Sequence, residues 1–291
     1  MRPIPGRGQR HELWGLVLVL PTLVLLLAFR FWPMLQVIRL SLYRYDLLTP
    51  PRFIAFDNYT RLVHDPLFYQ SLTATGYYVV GTCLPLWVLS LALAIVLDSV
   101  PFGKGFFRAV IFLPAIVPSV VLPILWRFLY HPYGLVNSLL NSAGLPSVSW
   151  LSDTKTVIPS FIVTSEWRFV PLFMVIYLAG LQSIPDEYHD AARVDGASAV
   201  QRFFTITLPL LRPTIGVVVV TSVVLTAKSL VLALLMTNGA PGGASRLLSL
   251  FVYQNAFIFL KLGYASAASV VLLAVLATFT MLQLRFFRPL E

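Results

Sequence analysis

Three ionisable side chains stand inside runs that are otherwise apolar: Glu166 and Arg168 within Val157 to Leu181, and Lys228 within Thr214 to Met236. At bilayer depth a charge of this kind costs about 2.5 to 3.5 kcal/mol on insertion scales, so it faces a cavity or a partner charge. Glu166 and Arg168 are two residues apart and so point to different sides of a helix, which prevents simple mutual neutralisation. Glu166 with Lys228, between adjacent spans, reads as a structural pair. Ser222, Thr226 and Ser229 recur at i, i+4 and i+7 and form one polar stripe among Val and Leu. Such a stripe either bonds backbone carbonyls within its own helix or lines a polar path. Lys228 lies well around the helix from it. If Arg168 and Lys228 both faced a path, an anionic cargo would gain weight over a neutral one.

A second concentration of polar groups is "DEYHDAARVDGAS", Asp186 to Ser198, with four acids, an arginine and a histidine. Ser183 reads as a helix cap, Pro185 as a first-turn proline, and Asp186 and Glu187 as acids at the positive end of the helix dipole. The helix should end near Val194, with Asp190 and Arg193 paired on its surface and Ala191 and Ala192 leaving a bare face for close docking. Gly196 supplies a residue able to take positive φ, Ser198 caps a second short helix, and Pro209 with Pro213 closes it. The product is a helix-turn-helix.

The elements that hold these groups are membrane spans. With 58% hydrophobic and 11% charged residues in 291 and a mean hydropathy of +0.82, the composition is that of a membrane protein. About twenty apolar residues cross a bilayer, and six segments qualify: Leu13 to Phe29, Leu72 to Leu97, Ala109 to Trp126, Val157 to Leu181, Thr214 to Met236 and Tyr264 to Leu284. The first has an apolar run too long for a signal peptide and no small-x-small cleavage site, so it is expected to be a retained helix. Arg2, Arg7 and Arg10 put both termini, and with them the Asp186 hairpin, in the cytoplasm. Pro114, Pro118 and Pro123 must kink the third span. Ser41 to Asp65, with its Pro50-Pro51 and Asp57-Asn58 turns, reads as an ordered external loop, and Leu135 to Leu140 as a short amphipathic helix along the outer interface, with Tyr130, Tyr133 and Trp150 beside it.

Several functions lack their constellations. No GxxxxGK[ST] phosphate loop exists, and Gly103-Lys104-Gly105 has neither the spacing nor the hydroxyl. No nucleophile and base or carboxylate pair falls at helical depth, since His11, His64, His131 and His189 lie outside the apolar spans. No catalytic residue or metal ligand is therefore expected, and Cys83 alone forms no internal disulfide. The net charge of +9 is scattered through loops, which suits membrane flanks and excludes a nucleic-acid patch.

Asp190-Ala191-Ala192, three residues, Gly196, nine residues and Ile206-Thr207-Leu208-Pro209 together resemble the EAA motif of the permease subunits of binding-protein-dependent ABC importers. "FDNYTRLVHDPLFYQSL", "YGLVNSLL", "SWLSD", "EWRFVPLFMVIYLAGLQSIP", "LLMTNGAPGG" and "LGYASAASVV" extend the resemblance along almost the whole chain and narrow it to the carbohydrate-uptake branch, similar to the maltose and sn-glycerol-3-phosphate permeases. Asp190 departs from the usual glutamate, keeping the charge on a shorter arm. The resemblance implies the all-α type I importer permease fold: a tail, first helix and external loop over residues 1–70, then a five-helix core over 71–291 containing a cytoplasmic coupling loop at 183–212. It implies that Glu187, Asp190, Ala191, Ala192, Asp195, Gly196 and Ala197 dock an ATPase, and that Arg168, Phe169, Leu172, Ser222, Thr226 and Ser229 line a sugar path, where Phe169 could stack on a pyranose face. Implied partners are a second homologous permease, two ATPases binding ATP and Mg, and an extracytoplasmic solute-binding protein, all in a prokaryotic cytoplasmic membrane. This chain itself needs no cofactor. The rival from another class is an ion- or proton-coupled secondary transporter with Glu166 as coupling group, against which stands the absence of an internal inverted repeat.

Overall fold

A computed structural model describes residues 18–286. The three N-terminal arginines, the start of the first predicted span and Arg288 lie outside that range. The described chain forms two compact units, residues 18–64 with 255–271 and residues 65–254 with 272–286.

In the first unit α1 (Leu18–Leu40) is apolar and largely exposed. It continues well past the predicted end at Phe29 because a wide π-turn, Leu27–Phe31, precedes Pro33, and the Trp32 N–H reaches back to the Leu27 carbonyl. The extra residue in that turn absorbs the missing N–H and ring bulk of the proline. The loop after α1 is ordered, as its turn residues predict. Strands β1 (Tyr43–Arg44) and β2 (Arg52–Phe53) pair antiparallel, with Tyr43 opposite Phe53 and their rings edge-on at 5.3 Å. This two-residue ladder is an addition to the predicted all-α architecture. Asp46 ties its turn by accepting from the Thr49 N–H and hydroxyl, each at 2.8 Å, and from the Leu48 N–H at 3.2 Å. Those donors, Thr49 foremost, favour the ionised carboxylate and lower its pKa. From α2 (Asp57–Val63) the buried Asn58 amide donates to the carbonyls of Ser41 at 2.8 Å and Tyr43 at 3.0 Å.

The second unit is built on α3 (Pro66–Ser99) and α7 (Val157–Gln182), which pack against each other over most of their lengths. Asp65 caps α3 by accepting from the Leu67 N–H at 2.8 Å. Two apolar clusters fill the interior, one around Tyr78, Trp126, Phe161 and Leu250, the other around Leu86, Phe173, Tyr177 and Val218. The predicted third span is broken outright: α4 (Lys104–Ile116) and α5 (Val121–Leu129) meet at 94°. Pro118 in the break supplies a carbonyl to the N–H groups of Val121 and Leu122, so it starts a new helix where it could not continue the old one. The short amphipathic helix is present as α6 (Leu135–Ser142), pinned by buried Asn137, whose Oδ1 accepts from the Val148 N–H and the Trp150 indole, both at 3.0 Å.

After α7 come α8 (Asp186–Val194), α9 (Ala199–Leu210) and α10 (Arg212–Ala227), with a 66° bend between the last two. The predicted fifth span does not run through to Met236. It stops at Ala227, and α11 (Leu230–Met236) begins after a break at Lys228 and Ser229. Then α12 (Leu248–Ile258) and α13 (Leu262–Phe286) each contribute to both units. Helices α1, α3, α7 and α13 are long and apolar enough to cross a bilayer alone, and the two bent pairs bring the number to six.

Candidate functional site

The α8–α9 hairpin forms as its sequence dictates, with one exception. Ser183 does not cap α8. It closes α7, its hydroxyl donating to the Gly180 carbonyl at 2.7 Å, and extended Pro185 takes the cap position. Two residues, Ile184 and Pro185, separate Ser183 from the first free N–H groups of α8, whereas Gly180 lies one turn behind on the helix just ended. Asp186 and Glu187 occupy the first turn, and Arg193 pairs with Asp190 at 2.7 Å on an exposed surface. The turn is closed by the Gly196 N–H on the Arg193 carbonyl at 3.1 Å and the Ala197 N–H on the Ala192 carbonyl at 2.9 Å. Gly196 has φ +76°, the left-handed conformation expected of it. Ser198 caps α9 in a reciprocal pair with Gln201.

What the hairpin presents outward is unusual for a charged surface loop. Glu187, Asp190, Ala191, Asp195 and Gly196 are exposed, with Ala192 and Ala197 half-buried. Among them stand Tyr188, Val194 and Val200, which leave 54%, 89% and 66% of their surface uncovered. A Cβ added at Gly196 meets nothing within 4 Å. Three apolar side chains of the hairpin thus stand uncovered among its polar groups.

Deeper in the same unit, a cavity of about 200 Å3 is walled by Ser119, Leu122 and Pro123, by Ser165, Arg168 and Phe169 of α7, and by Leu225, Lys228, Ser229, Val231 and Leu232 around the α10–α11 break. Arg168 holds its guanidinium carbon 5.8 Å from the centre of the Phe169 ring, within cation–π range. The break corrects the expected placement of Lys228: helical rotation stops at Ala227, the Leu230 N–H bonds the Lys228 carbonyl at 2.7 Å, and Lys228 and Ser229 open onto one cavity. The expected Glu166–Lys228 pair is not formed. Both Glu166 carboxylate oxygens are shielded and accept no hydrogen bond from any of the described residues, and Glu166 is absent from the wall that holds Arg168 and Lys228. That separation follows from the two-residue offset, which turns Glu166 about 200° away from Arg168.

The polar stripe divides. Ser222 and Thr226 are buried: Ser222 Oγ donates to the Val219 carbonyl at 3.1 Å and accepts from the Trp87 indole at 2.9 Å, and Thr226 Oγ1 donates to the Ser222 carbonyl at 2.7 Å. Neither reaches the cavity. Ser229 does, accepting from the Tyr78 hydroxyl at 3.2 Å. Leu172 is half-buried and outside the wall.

Residues 86–290 match the family described as "Binding-protein-dependent transport system inner membrane component". The chain belongs to this family. Among its relatives, the "Probable ABC transporter permease protein YurN" of Bacillus subtilis is 37% identical, the match covering 96% of this chain and 98% of the relative. The "Sulfoquinovosyl glycerol transport system permease protein SmoG" of Agrobacterium fabrum is 31% identical over 95% and 91%. A bacterial ABC transporter "involved in the import of the acidic polysaccharide alginate" superposes with a TM-score of 0.81 at 22% identity, covering 97% of each chain. The protein is thus a multi-pass membrane permease with the type I ABC importer fold, a transport subunit and not an enzyme.

In this permease the cavity depends on residues that sequence patterning passed over. Tyr78 is fully buried on α3, and its hydroxyl lies 2.6 Å from Ser165 Oγ as well as 3.2 Å from Ser229, so it joins three elements at the cavity's edge. A tyrosine in a span without charges is the signal that could have flagged it, since a buried phenol needs a partner.

Proposed function

We propose that this permease is the translocation subunit of an ATP-driven importer for a sugar or sugar-like solute in a prokaryotic cytoplasmic membrane. It pairs with a second homologous permease around the path. Both termini and the α8–α9 hairpin face the cytoplasm, where two ATPases bind ATP and Mg, and an extracytoplasmic binding protein delivers cargo from the other side. The cargo class rests on relatives named for carbohydrate transport and on a cavity with a ring, three hydroxyls and basic groups.

The observation that carries the coupling role is the hairpin surface around Gly196, rigid and capped yet leaving Tyr188, Val194 and Val200 uncovered. Its connections give it a lever. Helix α7 enters the hairpin carrying Arg168 and Phe169, and α10 leaves it carrying Leu225, with Lys228 at its end. An ATPase that closes and pulls on α8 therefore moves both helices that wall the cavity, turning ATP binding into alternating access.

Purification of the tagged permease from its host in mild detergent, with mass spectrometry of what accompanies it, tests the assembly. An ATPase, a second permease and a binding protein are expected. Recovery of the chain alone, still moving solute in vesicles without ATP, would replace this reading with secondary transport.

A further inference from the structure

We propose that the solute carried past this permease is an anionic saccharide, held through its acid group by Arg168 and Lys228. This deepens the importer reading and rests on it. The two cations come from different elements, α7 and the α10–α11 break, and converge on one cavity of about 200 Å3. No Asp or Glu is among its lining residues. Among the described residues neither cation is in an ion pair, and Arg168 is engaged by the Phe169 ring alone. The carboxylate nearest in sequence, Glu166, is turned off the wall.

A second cavity lies at the other end of α11, about 410 Å3, with Leu234, Leu235 and Met236 in its wall. It contains Arg127 with Tyr130 and Trp150, and again no carboxylate. Two cavities in series along one short helix are therefore both basic. The larger offers one amide, Asn238, but the smaller has neither a carboxylate nor an amide in its wall and is a poor match for a neutral sugar, whose hydroxyls donate as well as accept. It matches a sugar carrying a carboxylate, phosphate or sulfonate. The acid oxygens accept charge-assisted bonds from guanidinium and ammonium, the remaining hydroxyls meet Ser119, Ser165 and Ser229, and an apolar ring face meets Phe169. Cargo entry also relieves the cost of two uncompensated charges at helical depth, which a neutral solute leaves in place.

The test uses the complete transporter in liposomes with its binding protein. Initial ATP-dependent uptake is measured for a galacturonic acid disaccharide, glucose 6-phosphate and sulfoquinovosyl glycerol, which separate carboxylate, phosphate and sulfonate, and for maltose and trehalose. At least one anionic member should exceed both neutral sugars tenfold or more. Lys228→Met and Arg168→Gln should each cut that uptake tenfold or more, and Arg168→Lys should retain several times the uptake of Arg168→Gln. Co-purification of each variant with its ATPase in wild-type stoichiometry separates a charge effect from misassembly. ATP-dependent uptake of maltose or trehalose alone, indifferent to Lys228→Met, would overturn the anionic cargo and leave the importer standing. Uptake that needs no ATP would overturn both.

Discussion

Gly196 separates the needs of the chain from the needs of its proposed partner. At φ +76° an ordinary L-residue pays about 1 to 2 kcal/mol, whereas asparagine visits the left-handed region at much lower cost. The space around the position is open, since an added Cβ meets nothing within 4 Å. Gly196→Asn should therefore fold normally, with stability within about 0.5 kcal/mol of wild type, as for other surface substitutions. Gly196→Val should lose the backbone term of about 1 to 2 kcal/mol. If an ATPase seats against this turn, however, both side chains overpack the contact. At about 1 to 3 kcal/mol for overpacking, retention of the ATPase should weaken roughly five- to 150-fold. The assay pairs thermal stability of the purified permease with ATPase titration and cargo-stimulated ATP hydrolysis in liposomes. A Gly196→Asn permease that is stable and binds and stimulates its ATPase like wild type would refute the docking assignment, because a side chain larger than hydrogen would then be tolerated at the contact and any effect of Gly196→Val would be backbone strain alone.

Three further substitutions test the site. Ser222→Ala leaves the half-buried Trp87 indole N–H without its acceptor and should lower stability by about 0.5 to 1.5 kcal/mol, seen as a drop in melting temperature. The KM for cargo should stay unchanged, and a rise in KM at wild-type stability would return Ser222 to the path. Asn137→Leu removes acceptor and donors from the Val148 backbone and the Trp150 indole, and should cost about 1 to 3 kcal/mol for each group left buried and unpaired. Limited proteolysis should then open the 143–156 loop first, and an unchanged cleavage pattern would count against that anchoring. Glu166→Gln, off the cavity wall, should retain ATP-driven uptake and show none under an ion gradient alone. Gradient-driven uptake by the wild-type chain, abolished by Glu166→Gln, would favour ion coupling.

Local chemistry written within a few residues was legible without coordinates. Membrane class follows from apolar runs with few charges, because no water within a bilayer satisfies a backbone and helices are forced. The hairpin follows likewise: Gly196 at positive φ, the Ser198 cap and the Asp190–Arg193 pair each involve residues three or four apart, distances that a helix fixes by itself. Ser183 shows the limit, since the same hydroxyl could serve the helix ending before it or the one beginning after it, and the position of Gly180 decided.

Where a span breaks and which face it turns inward were decided by packing. Nothing in "VVLTAKSLVLALLM" marks Lys228 as a break, because apolar composition continues across it while the backbone there turns to let Ser229 meet Tyr78 from a helix about 150 residues earlier. For the same reason the periodic Ser222-Thr226-Ser229 stripe was split between Trp87 and the cavity. Helical periodicity fixes which side chains share a face, but only the neighbouring helix determines whether that face is buried against an indole or opened to a solute. The sequence by itself thus determined a membrane-spanning chain with a built polar hairpin. The tertiary structure alone brought Arg168 and Lys228, sixty residues apart, to one cavity and turned Glu166 away from it, because long-range proximity is set by how helices pack and not by the spacing along any one of them.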